Sequence, residues 1–160
     1  MPIDCVTNPV TRCVDCPEID GVPAVPAHIE SQNAVGWNAG ANSVRVVVAD
    51  LFTRFQLDGL VGGIAIGLRG SLDRNWIPEL IESGYYFTTL ANRYFVSVVE
   101  LGVIKVENIE VSFSSVYEIR RVAGRARYFV DNDLVYTSLV QRLGPRVVNC
   151  CLYSTGDSIA

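Results

Sequence analysis

The run Arg127-Tyr128-Phe129-Val130-Asp131-Asn132-Asp133-Leu134-Val135-Tyr136-Thr137 decides how this chain folds. Two stretches of β-branched and aromatic residues flank a turn made of Asp and Asn. Those two residue types tolerate the left-handed backbone that tight hairpins require. The run therefore reads as an antiparallel hairpin, and the same rhythm extends on both sides of it. Upstream, residues 117–122, 109–113, 94–101 and 85–89 are strand-like, with Ala91-Asn92 as a turn between the last two. Further back, Phe52, Arg54, Gln56 and Asp58 alternate with Thr53, Phe55 and Leu57, residues 61–68 are strand-like, residues 44–49 form a β-branched run, and residues 147–153 close the set. Residues 69–75 read as a loop, and Pro78-Glu79-Leu80-Ile81-Glu82 as a single helical turn that Gly84 ends. About ten short strands without long helices indicate an all-β antiparallel sandwich or barrel.

Residues 1–33 differ. They hold Pro2, Pro9, Pro17, Pro23 and Pro26, five of the seven prolines, and show neither helical nor strand periodicity. X-Pro pairs force extended backbone, and proline cannot join the middle of a sheet. The expectation is an extended N-terminal arm over 1–33, lying on its own domain or on a neighbour, followed by a sandwich domain over 34–160.

Length and composition narrow the function classes. The 160 residues suffice for one domain with a full core. Hydrophobic residues make up 49% and charged residues 19%, below the roughly 25% usual for soluble domains, which suits surface hidden in an assembly. The net charge is -4, with no basic block to follow a phosphate backbone, so nucleic acid is not an expected partner. All basic residues but Lys105 are Arg, the cation favoured where charge is partly buried or paired at an interface. The longest uncharged apolar run, from Leu60 to Leu68, falls well short of the roughly 20 residues a bilayer span needs, so membrane insertion is not expected. Asp4 and the early prolines are unlike a secretory signal.

Cys5, Cys13, Cys16, Cys150 and Cys151 lie at the two ends of the chain. Cys13-Val14-Asp15-Cys16 has the spacing of half a zinc knuckle, Cys5 offers a third thiolate, and Cys150, Cys151 or His28 a fourth ligand. A lone CxxC followed by Pro17 weighs less than unliganded reduced thiols, so no metal is expected, with Cys5, Cys13 and Cys16 the candidates if one binds. The glycines at 59, 62, 63, 67 and 70 match no phosphate-binding motif and read as packing glycines. His28 is the one histidine, and no G-x-S-x-G accompanies it, which argues against a hydrolytic triad. Glycoside hydrolysis needs two carboxylates on one face, yet Glu107 and Glu110 are three apart on a strand, and Asp131 and Asp133 fall in a turn. No enzyme activity and no cofactor are expected. Trp37, Trp76, Tyr85, Tyr86, Phe87 and Tyr94 read first as filling between sheets and second as a platform for sugar, with Trp76 the sugar-binding candidate because it sits in a loop. Arg120, Arg121, Arg125 and Arg127 flank a turn at Gly124 and read as a solvated or subunit-facing edge.

Residues 117–138, with the pattern x-I-x-R, a short turn and Y-x-V-D-N-D-L-V-Y-x-S, resemble the paired back strands of concanavalin-like (laminin-G-like) jelly rolls, with Asn132-Asp133 where Asp-Gly is usual. Gly36-Trp37-Asn38-Ala39-Gly40-Ala41, Glu82-Ser83-Gly84-Tyr85-Tyr86-Phe87 and Leu152-Tyr153-Ser154-Thr155-Gly156-Asp157-Ser158-Ile159 are similar to segments of tail proteins of long-tailed bacteriophages. The resemblance implies a non-enzymatic structural protein of the virion, in the tail tip or fibre. It would be assembled in the host cytoplasm with other phage tail proteins and copies of itself, and the polypeptide would continue past Ala160. The alternative it leaves open is a carbohydrate-binding module for host-surface glycan. The Asp, Asn, Glu and His cluster of metal-binding lectins has no counterpart in this sequence.

Overall fold

The computed structural model describes residues 11–14, 28–31, 35–37, 39–43, 50–70 and 77–160. Along the chain the strands are β1 (Thr11–Val14), β2 (His28–Ser31), β3 (Ala39–Asn42), β4 (Leu51–Gly59) and β5 (Ile64–Arg69). After a 3-10 turn at Pro78–Leu80 come β6 (Ser83–Leu90), β7 (Arg93–Glu100), β8 (Val103–Val111) and β9 (Val116–Val122). The series ends with β10 (Arg125–Val130), β11 (Asp133–Thr137), β12 (Val147–Leu152) and β13 (Ser158–Ile159). They form a seven-stranded sheet ordered β1-β2-β13-β4-β9-β10-β11 and a six-stranded sheet ordered β3-β12-β5-β6-β7-β8. Every pairing is antiparallel. The protein is an all-β, two-sheet sandwich, as the hairpin rhythm requires. Two stretches of the proline-rich 1–33 segment, β1 and β2, extend the seven-stranded sheet. Among the described residues no helix is long and apolar enough to cross a membrane.

Tight turns hold the strands in register. Ala91-Asn92, Leu101-Gly102, Ala123-Gly124 and Asp131-Asn132 each have positive φ at both positions. Each joins strands whose flanking residues pair directly, as Val130 pairs with Asp133. These are two-residue hairpin loops of the primed kind, whose twist matches that of the strands they join. Asp131 adds a tie, its carboxylate accepting from the Val116 amide at 2.8 Å.

The core between the sheets is aromatic. Phe55 from β4, Tyr85 and Phe87 from β6, Tyr117 from β9 and Tyr128 from β10 form one cluster, with ring centroids 4.7 to 6.1 Å apart, mostly edge to face. Along β4 the inward Leu51, Thr53, Phe55 and Leu57 alternate with outward Phe52, Arg54, Gln56 and Asp58, the period of two seen in the sequence. Two buried hydroxyls bridge the sheets. Tyr85 in the six-stranded sheet reaches the carbonyls of Phe129 (2.8 Å) and Glu118 (3.0 Å), and Tyr128 in the other sheet donates to Glu100 Oε1 at 3.1 Å. Tyr85→Phe is expected to lower stability by about 1 kcal/mol, because the one proton that the hydroxyl shares between the two carbonyls is lost while the packing stays. Urea titration with an unchanged slope would check it.

The arginines expected at an outer edge divide by strand parity. Arg120 faces outward, its guanidinium 4.1 Å from the Phe129 ring centroid and bonded to Glu118 Oε2. Arg121 instead is 4% exposed and donates to the carbonyls of Arg142 (2.9 Å) and Gly144 (2.8 Å), which pins the 138–145 loop. It points inward because β9 alternates, and its fork satisfies two carbonyls that a shorter side chain would not reach.

Candidate functional site

Two features of the outer face of the six-stranded sheet follow from the glycine-rich run at 59–70. In β5, Ile64, Ile66 and Leu68 enter the inter-sheet core, so Ala65 and Gly67 face outward. In β6, Tyr85 and Phe87 go inward, and Gly84 and Tyr86 face outward. Gly67 and Gly84 pair directly. Together they leave a trough on the outer face, and Ile81, fully buried, plugs it. A Cβ on Gly67 would meet the Ile81 Cγ2 at 2.8 Å and the Gly84 Cα at 2.5 Å. Gly84 is thus a strand residue rather than the end of the helical turn, and the helical turn itself shrinks to the 3-10 turn Pro78–Leu80. By anchoring Ile81, the glycine pair sets that turn, with Glu79, beside Tyr86.

Trp37 lines the same space as Glu79. Its ring lies 5.8 Å from Tyr86 and 5.1 Å from Tyr153, centroid to centroid. The backbone holding it is fastened by the Gly36 amide, which donates to the Tyr153 carbonyl at 2.8 Å. Gly63 leaves room for the indole, since a Cβ there would come within 3.3 Å of it. Between these elements opens a pocket of about 200 Å³. Ala65 forms its floor, Trp37 and Tyr86 one wall, and Pro78 and Glu79 another. Val99, Gly102 and Ile104 at the β7–β8 turn close the rim. Glu79 is the one charged side chain among the described residues that line it. Its stem rests on Gly102, where a Cβ would lie 3.2 Å from the Glu79 Cγ. Burial raises the Tyr86 hydroxyl above its ordinary pKa, and the nearby Tyr153, Glu79 and Asp157 push the same way.

The second feature is an anion cradle that the chain fills itself. Asp157, fully buried, accepts from the amides of Val61 (2.6 Å), Gly62 (3.0 Å) and Gly63 (3.1 Å). It also accepts from Tyr153 (3.2 Å) and Ser154 (2.7 Å). Successive amides aimed at one point make an anion site, and here its occupant is a carboxylate from the closing turn. The glycines are there for close approach: a Cβ at Gly62 would meet the Tyr153 ring at 2.8 Å.

The sequence candidates scatter. Trp76, the expected sugar contact, lies outside the described residues, as do Cys5, Cys16 and residues 44–49. Cys13 is placed in β1 by its backbone, and its side chain is outside the description. Of the grouped aromatics, Tyr85 and Phe87 fill the core as expected, and Tyr94 packs against it. Trp37 and Tyr86 do not: they sit on the opposite face of the same sheet, with Ile81 and Cys151. Tyr86 differs from its two neighbours in parity alone, which was the available signal. Glu107 and Glu110 are both exposed, and Glu110 pairs with Arg93. Among the described residues no three His, Cys, Asp or Glu side chains gather as a metal site.

Cys150 and Cys151 are buried free thiols, one facing each side of β12. Burial raises both, and Cys151 is pushed up to about 12 from an ordinary 9.0. A raised folded value means that the fold prefers the neutral thiol. That contribution is complete below pH 9 and is lost as the pH climbs toward 12. Both thiols should resist alkylation at neutral pH and react on unfolding, as mass spectrometry of the peptide carrying them would show. Labelling of the folded chain would contradict their burial.

No family model and no curated protein matches the chain. Solved structures do. The SPRY domain of human HERC1 is 9% identical with a TM-score of 0.59, over 96% of this chain and 94% of that one. The carbohydrate binding module CBM66 from Bacillus subtilis is 14% identical with a TM-score of 0.54, over 99% and 92%. The NHR domain of Neuralized from Drosophila melanogaster is 15% identical with a TM-score of 0.52, over 99% and 90%. At such identities the likeness is one of fold. The class of protein is a β-sandwich of the jelly-roll kind, consistent with the concanavalin-like domain that the hairpin pattern suggested.

Proposed function

We propose that the chain is a non-enzymatic recognition module that works as a fixed part of a larger protein assembly. The observation that carries this reading is the outer-face pocket. Its Trp37 and Tyr86 rings are packed against each other, with Trp37 also against Tyr153, and Glu79 is the one carboxylate among the described residues that line it. A pocket of apolar walls with one or two polar groups is built to hold a ligand, whereas glycoside cleavage asks for two carboxylates.

The setting we propose is the virion tail of a long-tailed phage, where the module contacts other tail proteins and copies of itself. The sequence segments quoted above support that setting. The surface supplies a means: Val122, Leu139, Val140 and Leu143 are exposed at one end of the sandwich, Leu139 at 81%. The 138–145 loop that carries three of them is fastened to the β9–β10 turn, with the Arg142 amide donating to the Gly124 carbonyl at 2.8 Å. Apolar side chains held rigidly in water mark an interaction surface. Light scattering of the purified chain should show self-association that Leu139→Asp with Leu143→Asp removes. A monomer at all concentrations, unchanged by the pair, would count against self-assembly.

A second reading, glycan binding, is favoured by the aromatic wall, because sugar rings stack on such faces. The resemblance in fold to CBM66, a carbohydrate binding module, agrees with it. Glycan-array binding lost in Trp37→Ala would establish it.

A further inference from the structure

The pocket has a charge as well as a shape, and this deepens the recognition reading given above. Two aromatic rings, Trp37 and Tyr86, make one wall. The faces of such rings are electronegative and attract cations, indole most strongly. The same lining includes Glu79, and no Lys or Arg is among the described residues that line the space. The remaining lining of Ala65, Val99 and Ile104 is aliphatic. A neutral sugar would find few hydrogen-bonding groups there for its many hydroxyls, since hydroxyls buried without partners are unfavourable. A cation clothed in methyl or methylene groups meets every demand at once. Its carbons cover the aliphatic floor, and its diffuse charge rests on the rings. The carboxylate then balances it at the solvent edge.

We propose that the pocket between Trp37, Tyr86 and Glu79 is a binding site for an alkylammonium group, such as a quaternary amine or the methylated end of a lysine side chain. Because the walls are positioned by Gly67, Gly84 and Ile81 from beneath, the site exists before the ligand arrives.

The test uses the full chain, isotope-labelled so that the indole N–H signals of Trp37 and Trp76 are separately visible. It is titrated with choline, with the neutral tert-butyl isostere of choline, with a blocked trimethyl-lysine and its unmethylated form, and with methyl glycosides. Choline or trimethyl-lysine should shift the Trp37 signal and bind about 10-fold more tightly than the neutral isostere, the scale of one cation–ring or carboxylate contact. Whichever of the two binds better identifies the source, a free amine or a modified protein tail. Glu79→Gln, at an exposed position that leaves the fold intact, should narrow the gap between choline and its isostere several-fold. Trp37→Ala should abolish binding, with circular dichroism confirming the sheet. Equal binding of the isostere, or no binding of any cation, would overturn the proposal. Binding of a glycoside in place of cations would overturn it too, while leaving the recognition reading in force.

Discussion

Asp157→Ala should be the most damaging single substitution in the described part of this chain. Five backbone amides converge on that carboxylate, from the segments 61–63 and 153–154, far apart in sequence. Truncation would leave the buried Gly63 and Ser154 amides without an acceptor and weaken the hold on Val61 and Gly62, while Tyr153 keeps the Gly63 carbonyl at 3.0 Å. Removing one side of a buried charged network costs about 3–5 kcal/mol. At roughly 2–4 °C per kcal/mol for a chain of this size, the midpoint should fall on the order of 10 °C or more. Asp157→Asn keeps one acceptor oxygen but turns an NH2 toward the other amides, so an intermediate loss is expected. Thermal unfolding of the three proteins, followed by circular dichroism, checks the order. A wild-type midpoint in the alanine variant would mean that the amides find other partners and that the cradle is incidental.

The second large effect is expected at Gly67. A valine there would drive its Cβ into the Ser83 carbonyl and the Gly84 backbone across the β5–β6 pair, and into Ile81 above them. Backbone cannot step aside as a side chain can. The strands must part or Ile81 must leave its trough, at about 3 kcal/mol or more. The substitution should also impair the pocket, since Ile81 anchors the turn that bears Glu79. Gly70→Ala is the matched control. Its Cβ would meet the Glu82 carboxylate oxygen at 3.2 Å, the end of a side chain that can shift slightly while keeping its ion pair with Arg146, and the effect should stay within about 0.5 kcal/mol. Chemical denaturation of both variants decides the matter. Equal stability of the two would show that the glycine pair is not required for close approach.

How much of this was legible beforehand depended on periodicity. The β10–β11 hairpin, the alternation along β4 and the apolar run of β5 all announce themselves, because their side chains sort by face. Strands without such a signal do not. Ala39-Gly40-Ala41-Asn42 contains no β-branched or aromatic residue, yet it forms β3 because β12 offers it an edge. β8 begins at Val103, six residues before the expected start at Ile109, because Asn108, with a φ of 49°, interrupts its alternation as a bulge. The candidate site was harder still. Both faces of β5 and β6 are covered, so an apolar residue gives no hint of which cover it meets, and only its parity separates Tyr86 from the core residues on either side of it. Asp157 carries no local sign of three of its five donors, which come from the remote 61–63 loop. What the glycine-rich run did convey was close approach, and that reading was right in kind. The approaching group was unforeseen: a carboxylate from the same chain in the place where a phosphate-binding loop would hold its ligand.

The position of β13 bears on how the molecule is made. Its two residues lie between β2 and β4, so the seven-stranded sheet has a gap in its middle until residue 159 has been synthesised. The pair β1 and β2, though translated first, has no strand of its own sheet to join until that gap is closed. Pairings across such sequence separations are slow to form, because a long loop must close before any contact rewards it. The nascent chain therefore spends its translation with an open sheet edge at β4. A ribosome-bound version stalled before Ser158 would display that edge, and chaperones that recognise unpaired strands would find it there.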